Sequence, residues 1–260
     1  MIKSISKNPC SVSIILPTYN ERENIIPLLR RLADILAKQS YEIVVVDDDS
    51  PDGTWKLVQE EMYHHSTIKL IRRMDKHGLT TALNAGIDAS VGDIVVWLDS
   101  DFQHPPESII QLLDGINQGA DVASGSRFVQ PGIGDQRVRD RSNVATVIWI
   151  HGHLSRLLSI VVSKVLHHNF TDWTSGLIAV RRKVFDNYTL EGYYGEYYIT
   201  LLNYCVTQGY NIVEVPYVLN TRRLGESKTT GHGYTRLVVL GLRYAVVVAR
   251  LLVTKFLKQR

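Results

Sequence analysis

Short apolar segments alternate with amphipathic segments of helical length along the first half of the chain. The apolar segments are four or five residues long and continuous, which is typical of strands in a parallel sheet that is buried on both faces. We therefore predict strands over 13–16, 42–46, 68–71, 94–98 and 122–125. We predict helices between them over 22–39, 54–63, 80–89 and 106–115.

This alternation predicts an α/β fold with an open, mostly parallel, twisted sheet and helices on both faces. Ligands of such sheets bind beyond the carboxyl ends of the strands. Acidic residues stand at two such ends: 47–49 after the second strand, and Asp99 and Asp101 after the fourth. Neither loop has the glycines of a dinucleotide fingerprint or a P-loop, which disfavours a nicotinamide dehydrogenase and a P-loop hydrolase.

The segment Asp99-Ser100-Asp101-Phe102-Gln103 is a candidate metal site. Alternate residues leaving a strand can turn to one side, and two carboxylates with an amide oxygen suit Mg²⁺ or Mn²⁺. An ion there could bridge a diphosphate and neutralise the charge of a departing nucleotide. The alternative is that the two acids only cap the following helix.

Composition limits the class of protein. The chain has 260 residues, of which 45% are apolar and 21% charged, an ordinary globular balance that argues against disorder. Cys10 and Cys205 are its two cysteines, so the sequence implies neither a disulfide framework nor a cysteine-based zinc site. The polar start and the short first apolar run do not resemble a signal peptide, and we expect a cytosolic location.

Positive charge is concentrated at the C-terminus. Residues 221–260 hold nine basic residues and one acid, whereas residues 1–220 hold 20 basic and 25 acidic residues. Within 237–257 an apolar run is interrupted by Arg243, Arg250 and Lys255, which favours a helix lying on an anionic membrane surface over a membrane span. The alternatives are a C-terminal helix packed on the core and a dimer contact. The apolar segment 144–166 could form a second interfacial helix pair.

Six motifs occur in the order found in one family. They are Leu16-Pro17-Thr18-Tyr19-Asn20-Glu21, Val46-Asp47-Asp48-Asp49-Ser50-Pro51-Asp52-Gly53-Thr54, Asp99 to Glu107, Gly125-Ser126-Arg127-Phe128, Asp172-Trp173-Thr174-Ser175-Gly176 and Arg222-Arg223-Leu224-Gly225-Glu226-Ser227-Lys228. The chain resembles the family 2 inverting glycosyltransferases from about residue 11 to residue 230. Within that family it is similar to the enzymes that transfer mannose or another sugar to a polyprenyl phosphate.

The resemblance implies a GT-A nucleotide-sugar transferase fold and a role for individual residues. The nucleotide-sugar donor would be bound by Pro17, Tyr19, Glu21, Asp48, Asp99, Asp101 and Lys228. The metal would be held by Asp99, Asp101 and Gln103, which with Arg127 and Arg222 would form the catalytic group. The acceptor phosphate would be bound by Arg127, Ser155, Ser175 and Arg222. Where relatives have an arginine four residues before Ser155, this chain has His151, and Arg137, Arg139 or Arg141 could compensate.

The activity implied is transfer of mannose from GDP-mannose to dolichyl or another polyprenyl phosphate, with inversion. A phosphate acceptor is mostly dianionic at neutral pH and can attack unaided, whereas a hydroxyl acceptor would need a general base, for which Asp172 is the candidate. The alternatives are a transferase that uses UDP-glucose or another donor, and a membrane adaptor that keeps the fold without catalysis. A nucleic-acid binder is disfavoured because the basic residues lack interleaved aromatic residues.

The same reading divides the chain into a transferase domain over 1–232, with an amphipathic helical insertion at about 143–166, and a basic amphipathic helix over 233–260. We expect a peripheral or monotopic protein on the cytoplasmic face of a membrane. A second copy of the chain or a small membrane subunit is left open as a further partner.

Overall fold

The computed structural model describes residues 11–75, 77–129, 145–166, 168–220 and 233–258. The strands are β1 (Val12–Thr18), β2 (Tyr41–Asp47), β3 (Ile68–Arg72), β4 (Ile94–Trp97), β5 (Val122–Ser126), β6 (Ile178–Arg181) and β7 (Ile212–Pro216). The helices are α1 (Arg22–Leu36), α2 (Thr54–Met62), α3 (Leu79–Ala89), α4 (Ser108–Asn117), α5 (Ala145–Leu166), α6 (Tyr197–Thr207) and α7 (Gly233–Lys258), with a 3₁₀ helix at Arg182–Asn187.

The seven strands form one sheet in the order β3-β2-β1-β4-β6-β5-β7. Strand β6 runs antiparallel to β4 and β5, and the remaining neighbours are parallel. The predicted α/β class and the five predicted strands are confirmed, with ends that differ by one or two residues. Strands β6 and β7 and helix α6 were not predicted, and segment 145–166 is one continuous helix instead of a helix pair.

Both faces of the sheet are buried. Successive side chains of a strand point to opposite sides of the sheet, and the side chains on each side are covered by helices. In β1, Ile14 belongs to the hydrophobic cluster that includes residues of α1, α2 and α4, and Ile15 belongs to the cluster that includes residues of α3, α5, α6 and α7. Val45 and Val46 of β2 divide in the same way. Two hydrophobic layers therefore hold the sheet rigid and fix the loops at its carboxyl edge.

Helix α7 packs on the second of these layers through Tyr244, Val247, Val248 and Leu251. None of the helices in the described parts of the chain combines the length and the apolar character needed to cross a membrane.

Candidate functional site

Three loops with acidic or amide side chains meet at the carboxyl edge of the sheet, after β1, β2 and β4. The parallel register brings them together, since Thr18 pairs with Asp47 and Ile15 with Trp97. Each loop contains a residue other than glycine with a left-handed backbone: Asn20 at φ 55°, Asp49 at φ 53° and Phe102 at φ 63°. This conformation is unfavourable for a bulky residue such as phenylalanine and tends to occur at functional sites.

The loop after β4 carries the predicted metal ligands within one tight turn. Asp101 is buried, with 5% of its surface exposed, and its Oδ1 accepts the backbone N–H of Gln103 at 3.0 Å. The side chain of Asp99 is half-exposed, and Gln103 is partly buried. The hydroxyl of Ser100 donates to the Pro17 carbonyl at 3.1 Å, which joins this loop to the end of β1.

The donor atoms of this turn fit Mg²⁺ or Mn²⁺ by their chemistry, since all are oxygens. Within the described residues, no three histidine, cysteine, aspartate or glutamate side chains are grouped closely enough to bind a metal ion. A metal bound here would therefore take two carboxylates, from Asp99 and Asp101, and the Gln103 amide oxygen. The remaining positions would be filled by water or by phosphate oxygens of a ligand.

The three consecutive aspartates after β2 have different environments. Asp47 is fully buried and accepts hydrogen bonds from the Thr18 hydroxyl at 2.8 Å and the Ser50 backbone N–H at 2.8 Å, so it organises the loop. Asp49 pairs with Arg72 at the surface. The carboxylates of Asp47 and Asp49 are therefore both engaged in contacts within the protein.

Asp48 lies between these two and forms a buried pair with Arg73. Arg73 Nε lies 2.7 Å from Asp48 Oδ1, and the Gly78 N–H donates to Asp48 Oδ2 at 2.8 Å. Sequence reasoning missed Arg73, although a basic residue at the end of the strand beside β2 was a usable signal.

The predicted donor-binding residues after β1 are placed differently from one another. Tyr19 is 43% exposed at the edge of the sheet, whereas Glu21 is 6% exposed and accepts a hydrogen bond from Asn24 at 2.9 Å. Pro17 is partly buried, and its carbonyl accepts the hydrogen bond from Ser100 in the turn that holds Asp101.

Arg127 and Asp172 form a buried, two-pronged ion pair. Arg127 Nε donates to Asp172 Oδ2 at 2.7 Å and Nη2 donates to Oδ1 at 2.8 Å, and Nη2 also donates to the Thr174 hydroxyl at 2.7 Å. Burial alone would raise the pKa of the Asp172 carboxyl, but the Arg127 guanidinium outweighs burial and holds that pKa below its ordinary value. Asp172 is fully buried and ionised, so it is not placed to act as a general base on a substrate hydroxyl.

The loop that contains Asp172 is fixed from several sides. Glu214 accepts the backbone N–H groups of Thr171 at 2.9 Å and Asp172 at 3.1 Å. From α5, Ser159 accepts the Trp173 backbone N–H at 3.0 Å and Ser163 accepts the Trp173 indole N–H at 2.8 Å.

The predicted acceptor serines lie on the elements around this loop. The Ser175 hydroxyl is buried and donates to the Tyr217 hydroxyl at 3.2 Å. Ser155 is buried on α5, and the next residue, Arg156, has its guanidinium 6.0 Å from the ring centre of Phe128, beside Arg127. This contact places α5, which carries Ser155, beside the residue that follows Arg127.

Arg222 and Lys228 lie outside the described residues, as do Arg137, Arg139 and Arg141; the side chain of His151 also lies outside them. The last described residue before Arg222 is Asn220, whose backbone N–H donates to the Gln103 carbonyl at 2.9 Å.

Comparison with known proteins gives one family. The model of glycosyl transferase family 2 matches residues 13–189. The chain is 37% identical over 221 residues to the dolichol-phosphate mannosyltransferase of Pyrococcus furiosus, covering 85% of this chain and 59% of that protein. It is 34% identical over 225 residues to the polyprenol monophosphomannose synthase of Mycolicibacterium smegmatis, covering 84% of this chain and 80% of that protein.

The undecaprenyl-phosphate 4-deoxy-4-formamido-L-arabinose transferase of Proteus mirabilis is 32% identical over 181 residues, covering 67% of this chain and 50% of that protein. A solved structure of glucosyl-3-phosphoglycerate synthase from Mycobacterium tuberculosis, in complex with Mn²⁺, UDP and phosphoglyceric acid, superposes with a TM-score of 0.64 at 20% identity. The superposition covers 94% of this chain and 78% of that one, and it confirms the expected GT-A fold.

Proposed function

Because the chain belongs to glycosyl transferase family 2, we propose that it transfers mannose from GDP-mannose to dolichyl phosphate or another polyprenyl phosphate, with inversion and release of GDP. The observation that carries this proposal is the junction of two loops. The oxygen-rich turn from Asp99 to Gln103 is hydrogen-bonded through His104 to the loop that holds Asp172 and Ser175. A leaving diphosphate and an attacking phosphate would need such neighbouring loops.

The buried state of Asp172 favours a phosphate acceptor. A hydroxyl acceptor must lose its proton to a positioned base, and Asp172, the candidate for that role, is occupied by Arg127. A phosphomonoester has a second pKa of about 6 and is already a nucleophile at neutral pH. Positioning and charge stabilisation then supply most of the acceleration of a single displacement.

Asp99, Asp101 and Gln103 would hold a divalent metal in this reaction. When bound, the ion would neutralise the negative charge that develops on the leaving nucleoside diphosphate. Asp48 and Arg73 would bind the donor base, and Arg127, Ser155, Ser175 and Arg222 would bind the acceptor phosphate.

A radiolabelled transfer assay with purified full-length chain, Mn²⁺ and dolichyl phosphate tests this proposal. We expect transfer from GDP-mannose, and loss of at least about a hundredfold in rate for Asp101→Ala, with a cooperative unfolding transition retained although the Gln103 N–H loses its acceptor. Asp114→Ala, an exposed carboxylate on α4, is the matched control and should keep the wild-type rate. Near-normal transfer by Asp101→Ala at saturating Mn²⁺ would contradict the metal assignment.

The name of the Proteus relative favours a second candidate, in which the donor carries another sugar. The same assay run with UDP-glucose separates the two, because one donor should support transfer and the other should not. Absence of transfer from every donor to any polyprenyl phosphate would support the adaptor instead.

We further propose that α5 and α7 bind an anionic membrane surface, where a polyprenyl phosphate resides. Both helices have large apolar side chains that are exposed: Leu154, Leu157, Ile160 and Val161 on α5, and Val239, Leu242, Val246, Val253 and Leu257 on α7. The two helices contact each other, and exposed Arg156 and Lys164 flank the α5 face. Exposed apolar residues beside basic residues are typical of helices that lie in the membrane interface.

The double variant Leu242→Glu with Val246→Glu tests the membrane proposal without removing the buried side of α7. We expect it to lose flotation with liposomes that contain anionic lipid while its melting temperature is retained. Val91→Glu, on a residue that is 72% exposed and precedes β4, is the control and should float like the wild type. Equal flotation of both variants would contradict this assignment.

A further inference from the structure

His104 lies between the two loops to which the proposed function assigns donor and acceptor. It is the first residue after the Asp99–Gln103 turn and is 2% exposed. Its backbone is constrained, because it precedes Pro105 and a residue before proline avoids the helical region.

Within the described residues, each ring nitrogen of His104 has a hydrogen-bond partner, and these two partners define the tautomer. The backbone N–H of Asp99 donates to Nδ1 at 3.0 Å, so Nδ1 carries no proton. Nε2 lies 3.1 Å from the Ser175 carbonyl and must therefore be the nitrogen that donates. Nδ1 also lies 3.8 Å from Asp99 Oδ2, but this is not an ion pair, because the neutral Nδ1 has no proton to donate.

Packing around the ring fixes its orientation. The Tyr217 ring meets it edge to face, with centroids 5.6 Å apart, and the Tyr217 hydroxyl is hydrogen-bonded to Ser175. Gly176 follows with φ at 80°, a left-handed backbone that favours glycine and turns the chain after the Ser175 carbonyl. The imidazole therefore spans the gap between the two loops as a rigid ring.

From this geometry we propose that His104 is a positioning residue for sugar transfer. It holds the backbone of the metal ligand Asp99 at a fixed distance from the backbone of Ser175. This inference rests on the proposed function, because it assigns the first loop to the donor diphosphate and the second to the acceptor phosphate. Misplacement of reacting groups by about 1 Å can cost about a hundredfold in rate.

Two conservative variants separate the two bonds. In His104→Asn the side-chain oxygen can replace Nδ1 and accept the Asp99 N–H, but the side chain is too short to reach Ser175. In His104→Gln the side-chain amide can replace Nε2 and donate to Ser175, but the Asp99 N–H loses its acceptor. His104→Phe keeps a ring beside Tyr217 and loses both bonds.

We expect opposite effects in these variants. His104→Asn should keep the Mn²⁺ affinity of the wild type, measured by thermal shift in the presence of GDP, and should lose about 10- to 100-fold in kcat. His104→Gln should weaken Mn²⁺ binding about tenfold or more and keep more of its kcat at saturating Mn²⁺. His104→Phe should show both defects. His65→Asn and His65→Gln, on an exposed histidine before β3, are matched controls.

The inference is overturned if His104→Asn and His104→Gln lose Mn²⁺ affinity and kcat in the same proportion, as a general loss of stability would cause. It is also overturned if His104→Phe keeps kcat and Mn²⁺ affinity within about threefold of the wild type. If the wild-type chain transfers no sugar, the proposed function fails, whereas the difference in Mn²⁺ affinity between the two variants still tests the role of His104.

Discussion

Replacing Asp172 with asparagine tests the buried ion pair that organises the second half of the site. The change keeps the side-chain shape but removes the charge, and it leaves the Arg127 guanidinium, 4% exposed, without its carboxylate partner. Breaking a buried pair in this way costs about 3 to 5 kcal/mol. For a chain of this size that corresponds to a fall of roughly 6 to 20 °C in melting temperature.

The pH dependence of this effect follows from the direction of the Asp172 pKa. Because the folded-state pKa lies below the ordinary value, the pair stabilises the protein fully above the ordinary aspartate pKa of about 3.9. The stabilisation is lost as the pH falls through the lowered folded-state pKa. We therefore expect the stability gap between wild type and Asp172→Asn to be constant from about pH 8 to pH 5 and to narrow below about pH 4.

Urea unfolding of the wild type, Asp172→Asn, Arg127→Met and the double variant measures the pair directly. The double variant should cost less than the sum of the two single changes, since neither charge is then left alone. Asp114→Asn, on the surface of α4, should lie within about 0.5 kcal/mol of the wild type. A loss below about 1 kcal/mol for Asp172→Asn, or additivity of the single changes within about 0.5 kcal/mol, would refute the reasoning.

Two further changes test neighbouring contacts. Ser163→Ala removes the acceptor of the buried Trp173 indole N–H and should destabilise the chain by about 1 to 3 kcal/mol in urea, whereas exposed Ser66→Ala should not; equal stability would exclude a role for this bond. Asp48→Asn removes the charge that pairs with Arg73 and should raise the Kd for GDP with Mn²⁺ about tenfold by calorimetry; an unchanged Kd would exclude Asp48 from the donor site.

The sequence allowed prediction of the parts of the site that are local in the chain. The turn from Asp99 to Gln103 follows a strand of four buried residues, so both its position and its donor atoms could be predicted. Because the carboxyl ends of parallel strands lie at one edge of a sheet, the turn was expected at the same edge as the loops after β1 and β2.

Long-range partners could not be predicted in the same way. The sequence predicted that Arg127 binds a phosphate. Its bonds to Asp172, 45 positions away, were not predicted, because they depend on how β5 and the later loop meet. Strands β6 and β7 have four and five residues, and β6 runs antiparallel, so the repeating pattern of the first half did not extend to them.

The contacts made by the faces of helix α7 were also not predictable from the sequence. Arg243 and Arg250 are seven residues apart and share a face, as the spacing indicated, but that face borders the loop before α6: Arg243 lies 4.5 Å from the Tyr193 ring centre and Arg250 lies 3.4 Å from Glu191. The spacing of residues identifies which of them share a face, but it does not identify which face meets the core.

Two valines of α7 show that this helix has two apolar faces, of which one is buried and one is exposed. Val248 is 9% exposed and packs on the second hydrophobic layer, whereas Val246, two residues earlier, is 67% exposed on the opposite side. Packing on the core explains the apolar residues on the face of α7 that contains Val248. It does not explain the apolar residues on the face that contains Val246. The described part of the chain does not cover the second face, and the membrane proposal assigns that face to a surface outside these residues. A bilayer that holds the proposed lipid acceptor has the required chemistry.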